Sequence, residues 1–211
     1  DEIETFLDST NNDITPFKEI MNDMYAKDIS KKIRSVIKEK QKKKQYLTML
    51  KQKYRSTNVK IEIVDAGLSG KKLVEKAIKS RKHKKFDAVY VVFDRDDHKK
   101  EELRACSKLA KTNNVNIIFS SIDFEIWILM HFEPVFRRYT RPELVTRLSK
   151  EKYFNQDYSR FKGNSYRSYI FDKVENAMNN ATKLYKKNSN WIEDDPFTNI
   201  HIYLPRIFDI K

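Results

Sequence analysis

The run Ala88-Val89-Tyr90-Val91-Val92-Phe93-Asp94-Arg95-Asp96-Asp97-His98 constrains this chain more than any other stretch. An apolar, β-branched segment without polar alternation reads as a strand covered on both faces, as in a parallel sheet. It ends abruptly in charge. Asp94 and Asp96 stand two apart at or just beyond its carboxyl end. If the backbone is still extended there, residues i and i+2 point to the same side. Ligands of open α/β sheets gather at that end. Two converging carboxylates repel unless a cation sits between them. Mg2+ takes oxygen ligands of this kind. An acidic strand-end turn without a metal is the competing reading.

Gly is scarce, at 3 of 211 residues, and charged residues make up 35%, which favours long helices over flexible linkers. A single cysteine, Cys106, excludes an internal disulfide framework and suits a reducing, cytoplasmic compartment. It falls in a predicted helix and reads as a packed thiol. No apolar run reaches membrane-spanning length, so no membrane partner is expected.

The net charge of +13 is unevenly placed. Between Lys31 and Lys60 lie 12 Lys/Arg residues, with Glu39 as the only acid, so this window carries +11 and the rest of the chain +2. A local basic stripe is what a phosphate backbone attracts. Solvated helix faces are Lys-rich too, but usually carry Glu in proportion.

In chain order, Thr15-Pro16 is a helix start, because Thr caps and Pro suits the first helical position. Phe17, Ile20, Met21, Met24, Ile29, Ile33, Val36 and Ile37 follow approximate helical spacing. From Lys38 to Gln45 no residue is apolar, so a helix there would lack a core-facing side. The stripe resumes at Tyr46, Leu47 and Leu50. One long helix or two in line fit this pattern.

Asp13-Ile14-Thr15-Pro16-Phe17, then Asn22 to Arg34 (NDMYAKDISKKIR), resembles the end of the serine recombinase catalytic domain, over about residues 8–40. The resemblance implies a helix that dimerises and runs onto DNA. Lys31, Lys32 and Arg34 would then contact DNA, and the chain would form a homodimer through this helix. The nucleophilic serine and arginine cluster of that family have no counterpart here.

Val59, Ile61 and Ile63 alternate with Lys60 and Glu62 and predict a half-buried strand. A turn at residues 66–70, a short amphipathic helix at 73–78, the strand 88–93, a helix over 100–111 and a strand over 116–120 follow. The order β-α-β-α-β predicts a parallel sheet flanked by helices. Ser121 to Glu133 is apolar nearly all round and should be a buried helix. Its Glu125 needs a partner, because an unpaired buried charge is costly. A structural salt bridge and a role beside Asp94 and Asp96 are both open.

Val92-Phe93-Asp94-Arg95-Asp96-Asp97-His98, the Ser121–Glu133 segment and Asp195-Pro196-Phe197-Thr198-Asn199-Ile200-His201 resemble, in order and spacing, the RloB-like family over about residues 45–211. That family is Toprim-like and associated with phage resistance and abortive infection. The resemblance implies a Toprim/Rossmann-like α/β fold, with a long basic helix before it and a helical region after it. It further implies a Mg2+-dependent nuclease with Asp94 and Asp96 as metal ligands and Glu125 and His201 close by. An ATPase partner is implied too, as in related defence systems. The departure is at the first strand. Glu39 aligns with the glutamate that ends it, but Lys40 replaces the following glycine and Lys42-Lys43 a Thr-Glu pair. This looks like a junction of two genes near residue 44, with the first strand lost.

Two functions follow. One is a Toprim-type nuclease acting on nucleic-acid phosphodiesters, with Asp94, Asp96, Glu125, Glu39 and His201 as its catalytic set. The other is a non-catalytic, DNA-binding or dimerising product. In both, Lys31, Lys32, Arg34, Lys42, Lys43, Lys44 and Arg95 are the expected nucleic-acid contacts. If the first-strand glutamate is lost, the expectation is Mg2+ binding without appreciable cleavage. Arg137, Arg138 and Arg141 near the helix start Thr140-Arg141-Pro142 read as surface arginines. The aromatic stretch Tyr153–Tyr169 reads as packing of a small helical layer rather than base stacking.

Overall fold

The computed structural model describes residues 41–62, 68–84 and 86–210. The chain divides into two compact units, Asp1–Ile37 and Lys38–Lys211, and the description below concerns the second. The N-terminal helix start, the recombinase-like segment, Lys31, Lys32, Arg34 and Glu39 lie outside the described residues.

Residues 41–53 are helical (α1). The helix runs through the part of 38–45 that has no apolar residue, and it does have a core-facing side. Its buried residues are Lys42, Tyr46, Met49 and Leu50, at helical spacing of 0, 4, 7 and 8. A lysine therefore occupies an inward position, one turn before Tyr46. Residues 59–62, expected as a strand, have no regular structure, and Ile63 lies outside the described residues. Lys51 Nζ instead donates to the Val59 carbonyl at 2.6 Å, a bond no strand ladder supplies.

Helix α2 (Gly70–Lys84), strand β1 (Val89–Asp94), helix α3 (Lys100–Thr112) and strand β2 (Val115–Ser121) follow as expected. β1 and β2 pair in parallel from Val89↔Val115 to Asp94↔Ser120. The amphipathic α3 buries Leu103, Cys106 and Ala110, so the lone thiol is packed. The sheet departs from an all-parallel one. β3 (Phe197–Thr198) pairs antiparallel with β2, giving a three-stranded mixed sheet in the order β1-β2-β3 among the described residues.

Both faces of this sheet are covered, which is why β1 reads as a continuous apolar run. Val91, Phe93, Phe119 and Phe197 pack with Val74, Leu103 and Ala110 on one face. Tyr90, Val92 and Ile118 pack on the other, against the larger core. That core takes in α1 and α4 (Glu125–Met130), every residue of which is buried. It continues through α5 (Arg141–Leu148), α6 (Tyr158–Phe161), α7 (Arg167–Ile170), a 3-10 turn at Phe171–Lys173, α8 (Val174–Tyr185) and α9 (Ile200–Phe208). Thr140 caps α5 by accepting from the Glu143 amide, with Pro142 in the first turn. Within the aromatic stretch, Tyr158 and Tyr166 are fully buried with hydroxyls 3.1 Å apart. This is core packing, and no stacking platform for bases is left there by these two rings. No helix among the described residues is long and apolar enough to cross a membrane.

Candidate functional site

Asp94 ends β1 on the face that carries the larger core. Its pairing partner Ser120 pairs in turn with Thr198, so Asp94, Ser120 and Thr198 form a row across the sheet. The Ser120 and Thr198 hydroxyls are 3.1 Å apart. Chain direction changes directly after Asp94. Asp96 is in the left-handed region at φ 43° and its side chain is half exposed. The backbone is thus no longer extended where the i, i+2 argument required it.

The carboxylate that acts on Asp94 most strongly is Asp123 rather than Asp96. Asp123 and Glu125 flank the start of α4, and both are buried. Between them lies the fully buried Lys42 of α1, its Nζ 2.9 Å from Asp123 Oδ1 and 2.5 Å from Glu125 Oε2. Lys43 Nζ reaches Asp94 Oδ2 at 2.7 Å. Lys162 Nζ stands 3.1 Å from Glu125 Oε1. Arg141, at the start of α5, holds Asp96 Oδ1 at 2.5 Å and approaches Asp123 Oδ2 at 3.8 Å. Four carboxylates thus meet four fixed cations. Burying Lys42, Asp123 or Glu125 without a partner would cost roughly several kcal/mol, whereas the Asp96–Arg141 pair is about half exposed and not under that constraint.

The electrostatics follow from this arrangement. Burial pushes the Asp94 carboxyl up to about 7, with the Asp123 charge adding to the rise and Lys43 and Lys42 opposing it. Burial also acts to raise Asp123, but the Lys42 ammonium and hydrogen bonding with Glu125 and Lys42 hold it well below the usual range. One atom is left over. Asp94 Oδ1 is buried and has no hydrogen-bond partner.

That orphan oxygen is the one feature that suits a bound cation. The rest of the donor set does not fit Mg2+, which demands near-octahedral oxygen ligands. The Asp123, Glu125 and second Asp94 oxygens already face ammonium groups. Among the described residues, no group of three or more His, Cys, Asp or Glu side chains is arranged to hold a metal ion.

The other expected site residues are placed as follows. Arg95 turns away from Asp94. It donates to Ser121 Oγ at 2.7 Å and to the carbonyls of Ile192, Trp191 and Asp194 at 3.0–3.1 Å, pinning the 191–194 loop. Of the three lysines at 42–44, only Lys44 is exposed. His201 lies in α9 against the Tyr185 ring at 5.4 Å. Its Nδ1 is buried without a partner, and burial lowers its pKa to about 4. Asn199 accepts from the Phe119 amide at 2.7 Å and donates to the Ile117 carbonyl at 3.0 Å, so the terminal motif is tied to β2. His131 donates from Nδ1 to the Trp127 and Ile128 carbonyls, which leaves Nε2 to accept from the Tyr46 hydroxyl at 3.1 Å. Burial lowers its pKa to about 3, and it acts as a neutral core bridge.

Three members of the cluster escaped sequence reasoning. Asp123 was signalled by its i, i+2 spacing to Glu125. Arg141 and Lys162 carried no signal that distinguishes them from surface cations.

Nothing among curated proteins or solved structures matches the chain. A family model described as RloB-like protein matches residues 18–207. The match begins well before residue 45 and spans the supposed gene junction, and nothing found supports a serine recombinase segment. On a match of that extent, together with the motifs that end β1, open α4 and tie the terminal element to β2, the chain belongs to the RloB-like family.

Proposed function

We propose that this chain is a nucleic-acid-binding RloB-like protein of the phage-defence type, with an acidic centre closed by its own lysines. It binds nucleic acid without cleaving phosphodiesters at an appreciable rate. The observation that carries this reading is Lys42, fully buried with its ammonium between Asp123 and Glu125. A nuclease of the Toprim kind needs free carboxylate oxygens at the strand end for a divalent ion, and Asp94, the expected ligand there, is itself engaged by Lys43. Here an ammonium from the chain itself fills the cation's electrostatic role and offers no activated water. The positioned general base that such a centre lacks is worth roughly a hundred- to ten-thousand-fold. Support for a polyanionic partner is the charge of +11 concentrated between Lys31 and Lys60.

The test is a cleavage assay on duplex DNA, single-stranded DNA and RNA with and without Mg2+, beside binding by fluorescence anisotropy. The expected result is salt-sensitive binding and no Mg2+-dependent product. Mg2+-dependent cleavage that disappears in Asp94→Asn would overturn it in favour of a Toprim-type nuclease. The orphan Asp94 Oδ1 favours that second reading, in which Mg2+ displaces Lys43, and Glu39 is the next residue to assay. An ATPase partner and a homodimer through the N-terminal segment remain part of the same proposal.

A further inference from the structure

A second polar cluster joins the residue before α2 to the segment that follows β1 and uses none of the acidic centre. Ser69 Oγ is 2.8 Å from His98 Nε2, and His98 Nδ1 is 3.3 Å from Glu102 Oε2. An ionised carboxylate only accepts, so Glu102 requires the proton on Nδ1. Nε2 then carries the lone pair and accepts from the Ser69 hydroxyl. Glu102 is held in place independently, because the same oxygen takes the Lys99 amide at 3.2 Å in the capping box of α3.

The backbone is built to bring the ring to the serine. Gly70 has φ +51°, and a Cβ at this position would stand 2.8 Å from His98 Cε1. Any larger residue would push the imidazole off Ser69. On its other side the ring meets Phe93 edge to face, with centroids 6.0 Å apart. The cluster is reachable from solvent: the His98 side chain is 21% and Glu102 57% exposed. Ser69 directly precedes α2, a 15-residue helix whose first-turn amides have no intrahelical acceptor. Such amides stabilise a developing oxyanion.

We propose that Ser69, His98 and Glu102 form a nucleophilic site that acts on carboxylic esters. The Ser69 proton passes to His98 Nε2 as Oγ bonds to the carbonyl carbon. The oxyanion faces the first-turn amides of α2. Collapse breaks the bond to the leaving alkoxide, which takes the proton from Nε2. Water then attacks the acyl-serine with His98 again as base, releasing the acid and restoring Ser69. Ser69 and His98 are the catalytic residues. Glu102 is a positioning residue acting through His98.

The test uses the full 211-residue chain with a fluorophosphonate probe and p-nitrophenyl acetate. The expected result is stoichiometric labelling mapped to Ser69 by peptide mass spectrometry. Ester turnover should be lost to background in Ser69→Ala and reduced roughly a hundredfold or more in His98→Gln. Glu102→Gln should lower kcat with KM and Tm unchanged, which a purely structural cap would not do. Circular dichroism confirms that each variant is folded, and Ser69→Cys keeps a nucleophile if the alanine variant is not. Labelling or turnover equal to that of Ser69→Ala, or unchanged in folded His98→Gln, overturns the proposal. Because no step involves Asp94, Asp123 or Lys42, the outcome is independent of whether the chain cleaves nucleic acid.

Discussion

The acidic centre behind β1 and the Ser69–His98–Glu102 cluster both draw on the segment just after β1, through Asp94 and Asp96 in one and His98 in the other, yet they obey different rules. In the first, burial makes compensation compulsory: the buried carboxylates Asp94, Asp123 and Glu125 each have a cation within 2.9 Å. In the second, solvent shares the task, so three groups suffice and the serine keeps an open side. A closed charge set contributes mainly to which structure forms, because its members are costly to separate. An open hydrogen-bonded chain contributes little to stability but leaves an atom available to react. Polar residues at the end of a strand are therefore not one kind of feature.

Breaking the buried set should have the largest effect. Lys42→Met leaves Asp123 and Glu125 buried beside an apolar chain, and urea denaturation should show a loss of about 3–5 kcal/mol. Adding Asp123→Asn and Glu125→Gln to the same variant should recover most of it. If Lys42→Met is neutral on its own, the ammonium is not the partner described.

Asp94 sharpens the contrast through pH. Its folded pKa is raised from 3.8 to about 7, so the ionised form is the costly one. Stability should therefore rise as pH falls through 7 towards 4 and level off below that, where native and unfolded carboxyls are both protonated. Asp94→Asn removes this dependence. It should raise the unfolding free energy relative to the parent chain at pH 8, by roughly a few kcal/mol at most, and lose that advantage near pH 4. The opposite trend comes from His201, whose folded pKa of about 4 makes it cost stability as pH drops from about 6.5. Asp94→Asn separates the two.

At the exposed cluster, Ser69→Ala and Glu102→Gln should change stability by less than about 0.5 kcal/mol, measured in the same denaturation series. A change comparable to Lys42→Met would mean the cluster is structural after all. The smallest effect concerns nucleic acid. Lys44→Met should reduce the slope of log affinity against log salt on duplex DNA by about 0.9, while Lys42 and Lys43, already committed to carboxylates, contribute nothing to it in the parent chain.

Much of the sheet was legible in the sequence. The apolar run to Phe93, the strand before Ser121 and the buried helix after it all follow from pattern, because burial on two faces leaves no polar alternation. The strand expected at 59–63 misled over its described residues, 59–62, since alternation in so short a stretch is satisfied equally by an irregular segment with Val59 packed on the core. The antiparallel β3 was not legible, as two residues carry no period. At the site, Asp94 and Glu125 stood out as charge in apolar surroundings. Lys42 did not, because a lysine among lysines looks solvated. Only its position four residues before Tyr46, on the inward stripe of α1, distinguishes it, and that argument needs the helix to be known first. The Ser69–His98 contact joins residues 29 apart and has no local signature at all.

The same Lys42 also bears on the order in which the chain can assemble. Its acidic partners follow it by 81 and 83 residues. Until the segment through Glu125 exists, the inward side of α1 carries a charge with nothing to meet it, and docking there is unfavourable. During synthesis α1 therefore has to wait, solvated, while β1 and β2 are made. Contacts of such long sequence separation slow folding, because loop closure is required before they stabilise anything. The helix that opens this core is among its last pieces to settle.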